Sequence, residues 1–184
     1  IATAKKSADI QINELKKIKK IFNNSFINAV DLILNCRGKC ITAGIGKSGI
    51  IAKKISATFS SVGIPSFFCD PAQALHGDMG QIEKKDILII FSYSGNTSEL
   101  TNMLKYANRY RIKIIGVASK PDSTLLKASD IKLVLPKVKE SDVTGMVPTS
   151  STSITLLLGD CLATTVMSQR KFSKEKFKVF HPGG

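Results

Sequence analysis

At 184 residues the chain has room for one domain with a full hydrophobic core. Apolar residues make up 43% and charged residues 22%, which excludes a disordered chain, and no apolar run nears the ~18 residues of a membrane span. The net charge of +13, from 27 Lys+Arg against 14 Asp+Glu, is dense only at Lys16–Lys20 and from Arg170 to Lys178, and tryptophan is absent. Such scatter reads as a solvated, lysine-rich surface that steers anions, not as a nucleic-acid face.

From Ile1 to Lys20 the chain is lysine-rich and lacks the apolar h-region of a signal peptide, so a cytoplasmic location is expected. The missing initiator Met suggests numbering that begins inside a longer gene product. Ser7 to Asn35 carries Ile10, Leu15, Ile18, Ile21, Phe22, Ile27, Val30 and Leu34 at helical spacing, which predicts one long N-terminal helix within residues 1–35. Gly38 is expected at its C′ position. Strands are predicted at Cys40–Ile45, Ser66–Cys69, Ile87–Phe91, Lys113–Ala118 and Ile131–Leu135. Helices are predicted between them at Ser48–Ser61, Thr97–Tyr110 and Ser123–Ala128, and a closing helix from about Ser150 to Arg170. Pro136 to Thr152 reads as a loop running into a helix start, because Pro148-Thr149-Ser150-Ser151-Thr152 mixes turn and N-cap residues. The alternation defines an α/β fold, a doubly wound three-layer αβα sandwich on a five-stranded parallel sheet of flavodoxin-like type. Ligands of such sheets bind outside the carboxyl ends of the strands. Cys36, Cys40, Cys69 and Cys161 lack the spacing of a zinc framework and read as reduced thiols, with no metal and no cofactor expected.

Two strand-to-helix turns fall at that edge. Gly44-Ile45-Gly46-Lys47-Ser48-Gly49 follows the first strand, and Ser92-Tyr93-Ser94-Gly95-Asn96-Thr97 follows the third. Each sets small hydroxyl and glycine residues at a helix start, where free N–H groups and the positive dipole end suit a phosphate. The first turn also matches G-x-G-x-x-G, with Asp70 about 20 residues on, as in a dinucleotide site. Lys47-Ser48 inside that loop fits a pyrophosphate poorly, and Ile41 stands where a Walker A loop needs glycine. N-cap duty would account for one hydroxyl of Ser92, Ser94 and Thr97, not for three. Thr149–Thr152 adds a third hydroxyl cluster entering a helix from the same edge.

These turns, with Ser94-Gly95-Asn96-Thr97-Ser98-Glu99 and Pro148–Thr152, resemble a sugar isomerase (SIS) domain. Pro65-Ser66-Phe67-Phe68, His76-Gly77-Asp78 and His181-Pro182-Gly183-Gly184 look like the arabinose-5-phosphate isomerase group, over roughly Asn35 to Gly184. The resemblance implies an SIS domain over residues 1–184 that interconverts D-ribulose 5-phosphate and D-arabinose 5-phosphate, feeding octulosonate and lipopolysaccharide synthesis. Relatives usually continue into a pair of CBS domains, so such a pair is an expectation downstream of this chain. By motif, the catalytic positions fall on Lys47, Glu99, Glu140 and His181, and a substrate-contacting histidine on His76. The phosphate would rest on Ser48, Ser92, Ser94 and Thr97, with Gly46, Asn96, Thr149, Ser150 and Ser151 completing the substrate-binding set.

The reaction moves a proton between two carbons through an enediolate, so it needs a base and a donor to the carbonyl oxygen. Glu140 or Glu99 would be the carbon base, Lys47 would hold the enediolate charge, and His181 would move protons among oxygens or open the sugar ring. The resemblance further implies a homo-oligomer, a tetramer, whose histidine motifs reach a neighbouring subunit's site, with no nucleic-acid or membrane partner. Two other readings share the serine turns: a non-catalytic SIS domain that senses a sugar phosphate, and a phosphohexuloisomerase. A Rossmann dehydrogenase ranks behind both.

Overall fold

The computed structural model describes residues 1–183; Gly184, the last residue of the His181-Pro182-Gly183-Gly184 motif, lies outside them. Five strands, β1 (Cys40–Gly44), β2 (Ser66–Phe68), β3 (Ile87–Phe91), β4 (Lys113–Ala118) and β5 (Ile131–Val134), form one sheet in the order β2-β1-β3-β4-β5. Every pairing is parallel. This is the doubly wound order expected from the sequence, with its crossing point between β1 and β3. The strands read as near-continuous apolar runs because both faces are covered. Ile87, Ile89 and Phe91 enter the core on one face, while Leu88 and Ile90 enter the core on the other.

The first of these cores also takes residues from α2 (Asn24–Leu34), α3 (Gly46–Ser61) and α7 (Ser150–Gln169). The second takes residues from α4 (Pro71–Ala74), α5 (Thr101–Tyr110) and α6 (Thr124–Ala128). All four cysteines are free thiols. Among the described residues no helix is long and apolar enough to cross a membrane.

The single N-terminal helix expected over Ser7–Asn35 is broken. The chain forms α1 (Ala2–Leu15), a 3₁₀ turn from Lys16 to Ile21, and then α2. Phe22 leaves helical geometry at φ −78°, ψ 72°, and Asn23 restarts the helix by accepting the Ser25 N–H on its side chain at 2.9 Å. Asn23 is an N-cap residue embedded in an unbroken apolar rhythm, and the cap prevails over the rhythm. Nor is Gly38 a helix C′ residue: α2 ends at Leu34 with Asn35 as its cap. A Cβ on Gly38 would sit 2.2 Å from Oδ1 of the buried Asp86. That carboxylate accepts the Lys39 and Glu83 N–H groups, each at 2.8 Å, so the glycine makes room for a buried acceptor. Within the lysine-dense stretch after Arg170 lies a short helix not expected from the sequence, α8 (Lys174–Phe180).

Candidate functional site

At the carboxyl edge of the sheet, β1 hands over to α3 through the first glycine turn. Gly46 adopts φ +57°, a left-handed conformation that suits glycine. A Cβ on Gly49 would lie 2.6 Å from the Gly44 carbonyl oxygen, so only glycine lets α3 start this close to β1. Lys47 and Ser48 thus sit in the first turn of α3, where backbone N–H groups have no partner within the helix. Lys47 is exposed and makes no ion pair among the described residues.

The second turn is knitted by its own hydroxyls. Ser92 Oγ accepts the Gly95 N–H at 3.1 Å and lies 2.8 Å from Thr97 Oγ1; Ser94 Oγ accepts the Asn96 N–H at 3.3 Å. Asn96 does not line the cleft, and its Oδ1 accepts the Thr124 N–H at 2.9 Å at the start of α6. The backbone N–H groups of Ser94 and Thr97 find no acceptor among the described residues, which leaves them to an anion.

The third wall is the segment between β5 and α7. Glu140 reaches the amino end of α7, and its Oε2 accepts the Thr149 N–H at 2.7 Å and the Ser151 N–H at 3.3 Å. Burial pushes the Glu140 carboxyl up, but hydrogen bonds from Ser151 and Thr149 outweigh it and hold the group below the usual glutamate range. Tyr93 fastens this segment to the second turn: its hydroxyl accepts the Val138 N–H at 2.9 Å and donates to the Pro136 carbonyl at 3.4 Å. Burial raises the Tyr93 hydroxyl, which stays protonated and able to donate.

Between these walls lies an open cleft of about 370 Å³. Of the residues singled out by sequence, Lys47, Ser48, Ser92, Ser94, Thr97, Glu140 and Ser151 line it together. Gly46 borders an adjoining groove with Gly44, Gly49 and Asp70. Asp70 there caps α4, accepting the Ala72 N–H at 2.9 Å. Thr149 stands behind Glu140, and Ser150 is fully buried with an Oγ that finds no partner among the described residues.

Besides Gly46, Asn96, Thr149 and Ser150, three more expected residues do not line the cleft of this chain. Glu99 is exposed beside it, its carboxyl lowered by its own backbone N–H and by the Ser98 hydroxyl at 2.8 Å. His76 is exposed in the turn after α4. His181 follows α8, with its ring stacked on Phe177 at 3.7 Å and its Nδ1 2.9 Å from the Phe177 carbonyl. Phe172 and Phe180, at either end of α8, would touch a Cβ on Gly63. Gly63 precedes β2, so α8 rests on the opposite, amino edge of the sheet.

Tyr93 and Thr155 also line the cleft and were not assigned a role from the sequence. Thr155 lies one helical turn beyond Ser151 on α7, a spacing that could have found it.

The fold and this cleft together define a doubly wound domain with a hydroxyl- and amide-lined cleft at its topological crossing point. The chain belongs to the SIS domain family, whose model matches residues 33–165. It is 40% identical over 181 residues to the uncharacterized protein RP505 of Rickettsia prowazekii, covering 98% of this chain and 56% of that protein. It is 39% identical over 170 residues to the arabinose 5-phosphate isomerase KdsD of Shigella flexneri, covering 92% of this chain and 52% of that protein. The chain therefore spans about half the length of these curated relatives. Among solved structures it is similar to Escherichia coli CFT073 c3406 in complex with arabinose 5-phosphate, with TM-score 0.94 and 32% identity over 97% of this chain and 95% of that one.

Proposed function

We propose that the chain is an aldose–ketose isomerase that interconverts D-ribulose 5-phosphate and D-arabinose 5-phosphate through an enediolate. One observation carries the reading. An ammonium without an ion pair among the described residues, Lys47, and a carboxylate held ionised, Glu140, line one cleft with the two hydroxyl-rich turns. A phosphate on the amides of the two turns would leave the sugar carbons to these two groups. The name of the Shigella relative and the arabinose 5-phosphate bound to the Escherichia coli protein favour a pentose 5-phosphate over a longer sugar.

In this mechanism the C–H bond beside the carbonyl breaks and its proton passes to Glu140. Its electron pair forms the enediolate double bond, and the negative charge gathers on the former carbonyl oxygen near Lys47. The hydroxyl proton on the neighbouring carbon's oxygen passes to the former carbonyl oxygen, the step the reading gives to His181. Glu140 returns the carbon-bound proton to the neighbouring carbon, which completes the isomerisation. Its ionised form is the one a base requires at neutral pH, while the hydrogen bonds that keep it ionised also temper its basicity. His181, His76 and Glu99 enter from the surroundings of the cleft. The reading places the two histidines at the site of a neighbouring subunit in a homo-oligomer, a tetramer, working in the cytoplasm.

The test is conversion of D-ribulose 5-phosphate followed by NMR for the wild type, Glu140→Gln and His181→Ala. Turnover that collapses in both variants supports the reading. Sugar-phosphate binding without wild-type turnover replaces it with a sensor domain.

A further inference from the structure

Among the described residues Glu140 is the only carboxylate lining the cleft, and its two oxygens stand in unequal surroundings. Oε2 accepts three hydrogen bonds: the Thr149 N–H at 2.7 Å, the Thr149 hydroxyl at 3.0 Å and the Ser151 N–H at 3.3 Å. None of these three reaches Oε1, and the Ser151 hydroxyl adds to the lowering of the carboxyl. Behind Oε2 a chain of hydroxyls leads out of the site. Ser141 donates to Thr149 Oγ1 from its N–H at 2.9 Å and from its hydroxyl at 3.1 Å. Ser141 Oγ in turn accepts from the Ser7 hydroxyl at 2.8 Å and from Gln11 Nε2 at 3.2 Å, both on α1. The Gln11 carbonyl accepts from Ser153 Oγ on α7 at 3.1 Å.

The chain runs from α1 toward the carboxylate. An ionised carboxylate only accepts, and a hydroxyl has a single proton to give. Thr149 spends its proton on Oε2 and must accept from Ser141; Ser141 spends its own on Thr149 and must accept from Ser7 and Gln11. Every donor from α1 inward points at Oε2 of Glu140, an arrangement that favours the ionised acid and leaves any proton to Oε1.

Capping of α7 is the plainer explanation of these contacts. It accounts for the Thr149 and Ser151 N–H groups. It does not account for the Thr149 hydroxyl or for the relay through Ser141 to α1, since none of those donors is a free N–H of α7.

We propose that Thr149, backed by Ser141 and by Ser7 of α1, is a positioning residue for Glu140, and that it fixes Oε1 as the oxygen that takes up the carbon-bound proton. The proposal deepens the isomerase reading and rests on it. Thr149 is then removed from the substrate-contacting set. The charged groups around the carboxylate are Lys47 on α3, Lys139 and Asp142 on its own segment, and Glu14 of α1, which accepts the Lys139 N–H at 3.1 Å.

The experiment measures the pH dependence of kcat and kcat/KM with D-ribulose 5-phosphate for wild type, Thr149→Val, Thr149→Ser and Ser141→Ala. Thr149→Val keeps the shape and removes the donor. The expected result is a kcat about tenfold lower with little change in KM, and an acid limb displaced to higher pH, because the ionised form has lost a donor. Thr149→Ser restores both quantities, and Ser141→Ala moves them in the same direction by less. In a Glu140→Gln background, Thr149→Val has no further effect. An active wild type whose acid limb is unmoved in Thr149→Val, or a loss confined to KM, overturns this proposal alone. A wild type without turnover overturns the isomerase reading and the proposal with it. Should Thr149→Val fail to fold, Ser141→Ala decides by the same two criteria.

Discussion

The Tyr93 hydroxyl accepts the Val138 N–H at 2.9 Å, which joins the second anion turn to the segment that carries Glu140. The same hydroxyl donates to the Pro136 carbonyl at 3.4 Å, so one side chain ties the two walls of the cleft together. Replacing Tyr93 with phenylalanine keeps the ring in place and frees the Val138 and Pro136 backbone groups. We expect a loss of about 1 kcal/mol in urea denaturation, with a larger fractional loss in kcat than in KM. Unchanged kinetics would show that Glu140 holds its position without the tether.

Lys47 makes no ion pair among the described residues, so its removal should leave the fold intact. Lys47→Met should reduce kcat roughly a hundred- to thousandfold, the usual loss when one preorganised charge-stabilising group is removed. The melting temperature should stay near that of the wild type. A mainly KM effect would instead assign Lys47 to phosphate binding.

Gly95 combines φ +70° with a side-chain direction that points into Ser123, whose Oγ would lie 2.2 Å from an added Cβ. Gly95→Ala should destabilise the protein by about 1–3 kcal/mol. It should also weaken sugar-phosphate binding, because the same turn carries Ser94 and Thr97. Thermal melting with and without the sugar phosphate separates the two effects.

The Glu140 carboxyl is raised by burial and lowered more strongly by Ser151 and Thr149, so the folded protein holds its proton less tightly than the unfolded chain. A depressed carboxyl contributes stability that is complete above its unfolded value and is lost as pH falls through its folded value. The urea midpoint of the wild type should therefore fall as pH drops through and below the ordinary carboxylate range. Glu140→Gln should flatten that part of the curve. Equal slopes in the two proteins would mean that the hydrogen bonds do not favour the ionised form.

The sheet was legible in the sequence because buried parallel strands leave no polar face to confuse the reading. Ile87–Phe91 and Lys113–Ala118 are strands with the boundaries expected of them. The two hydroxyl- and glycine-rich turns were legible for a related reason: such residues directly after buried strands mark the hand-over to a helix. The N-terminal helix was misread where apolar spacing ran on through the Asn23 cap. At the other end, the lysines of α8 concealed Phe177, Val179 and Phe180, and the segment was read as a charged tail. Within the site, Glu140 was found by resemblance, but its partnership with Thr149 spans a loop of irregular chain that no periodicity describes. Asn96 was assigned to the ligand from its place in the turn, whereas its acceptor is committed to the Thr124 N–H.

The bond from Ser7 to Ser141 joins positions 134 residues apart. Contacts of such separation require a long stretch of chain to be brought together, and they form late when a protein folds. The surroundings of Glu140 therefore mature after the sheet that supports them. In refolding from urea, the far-ultraviolet signal of the strands and helices should return first. The capacity to bind a sugar phosphate should follow in a slower phase, and Ser7→Ala should alter that second phase while sparing the first.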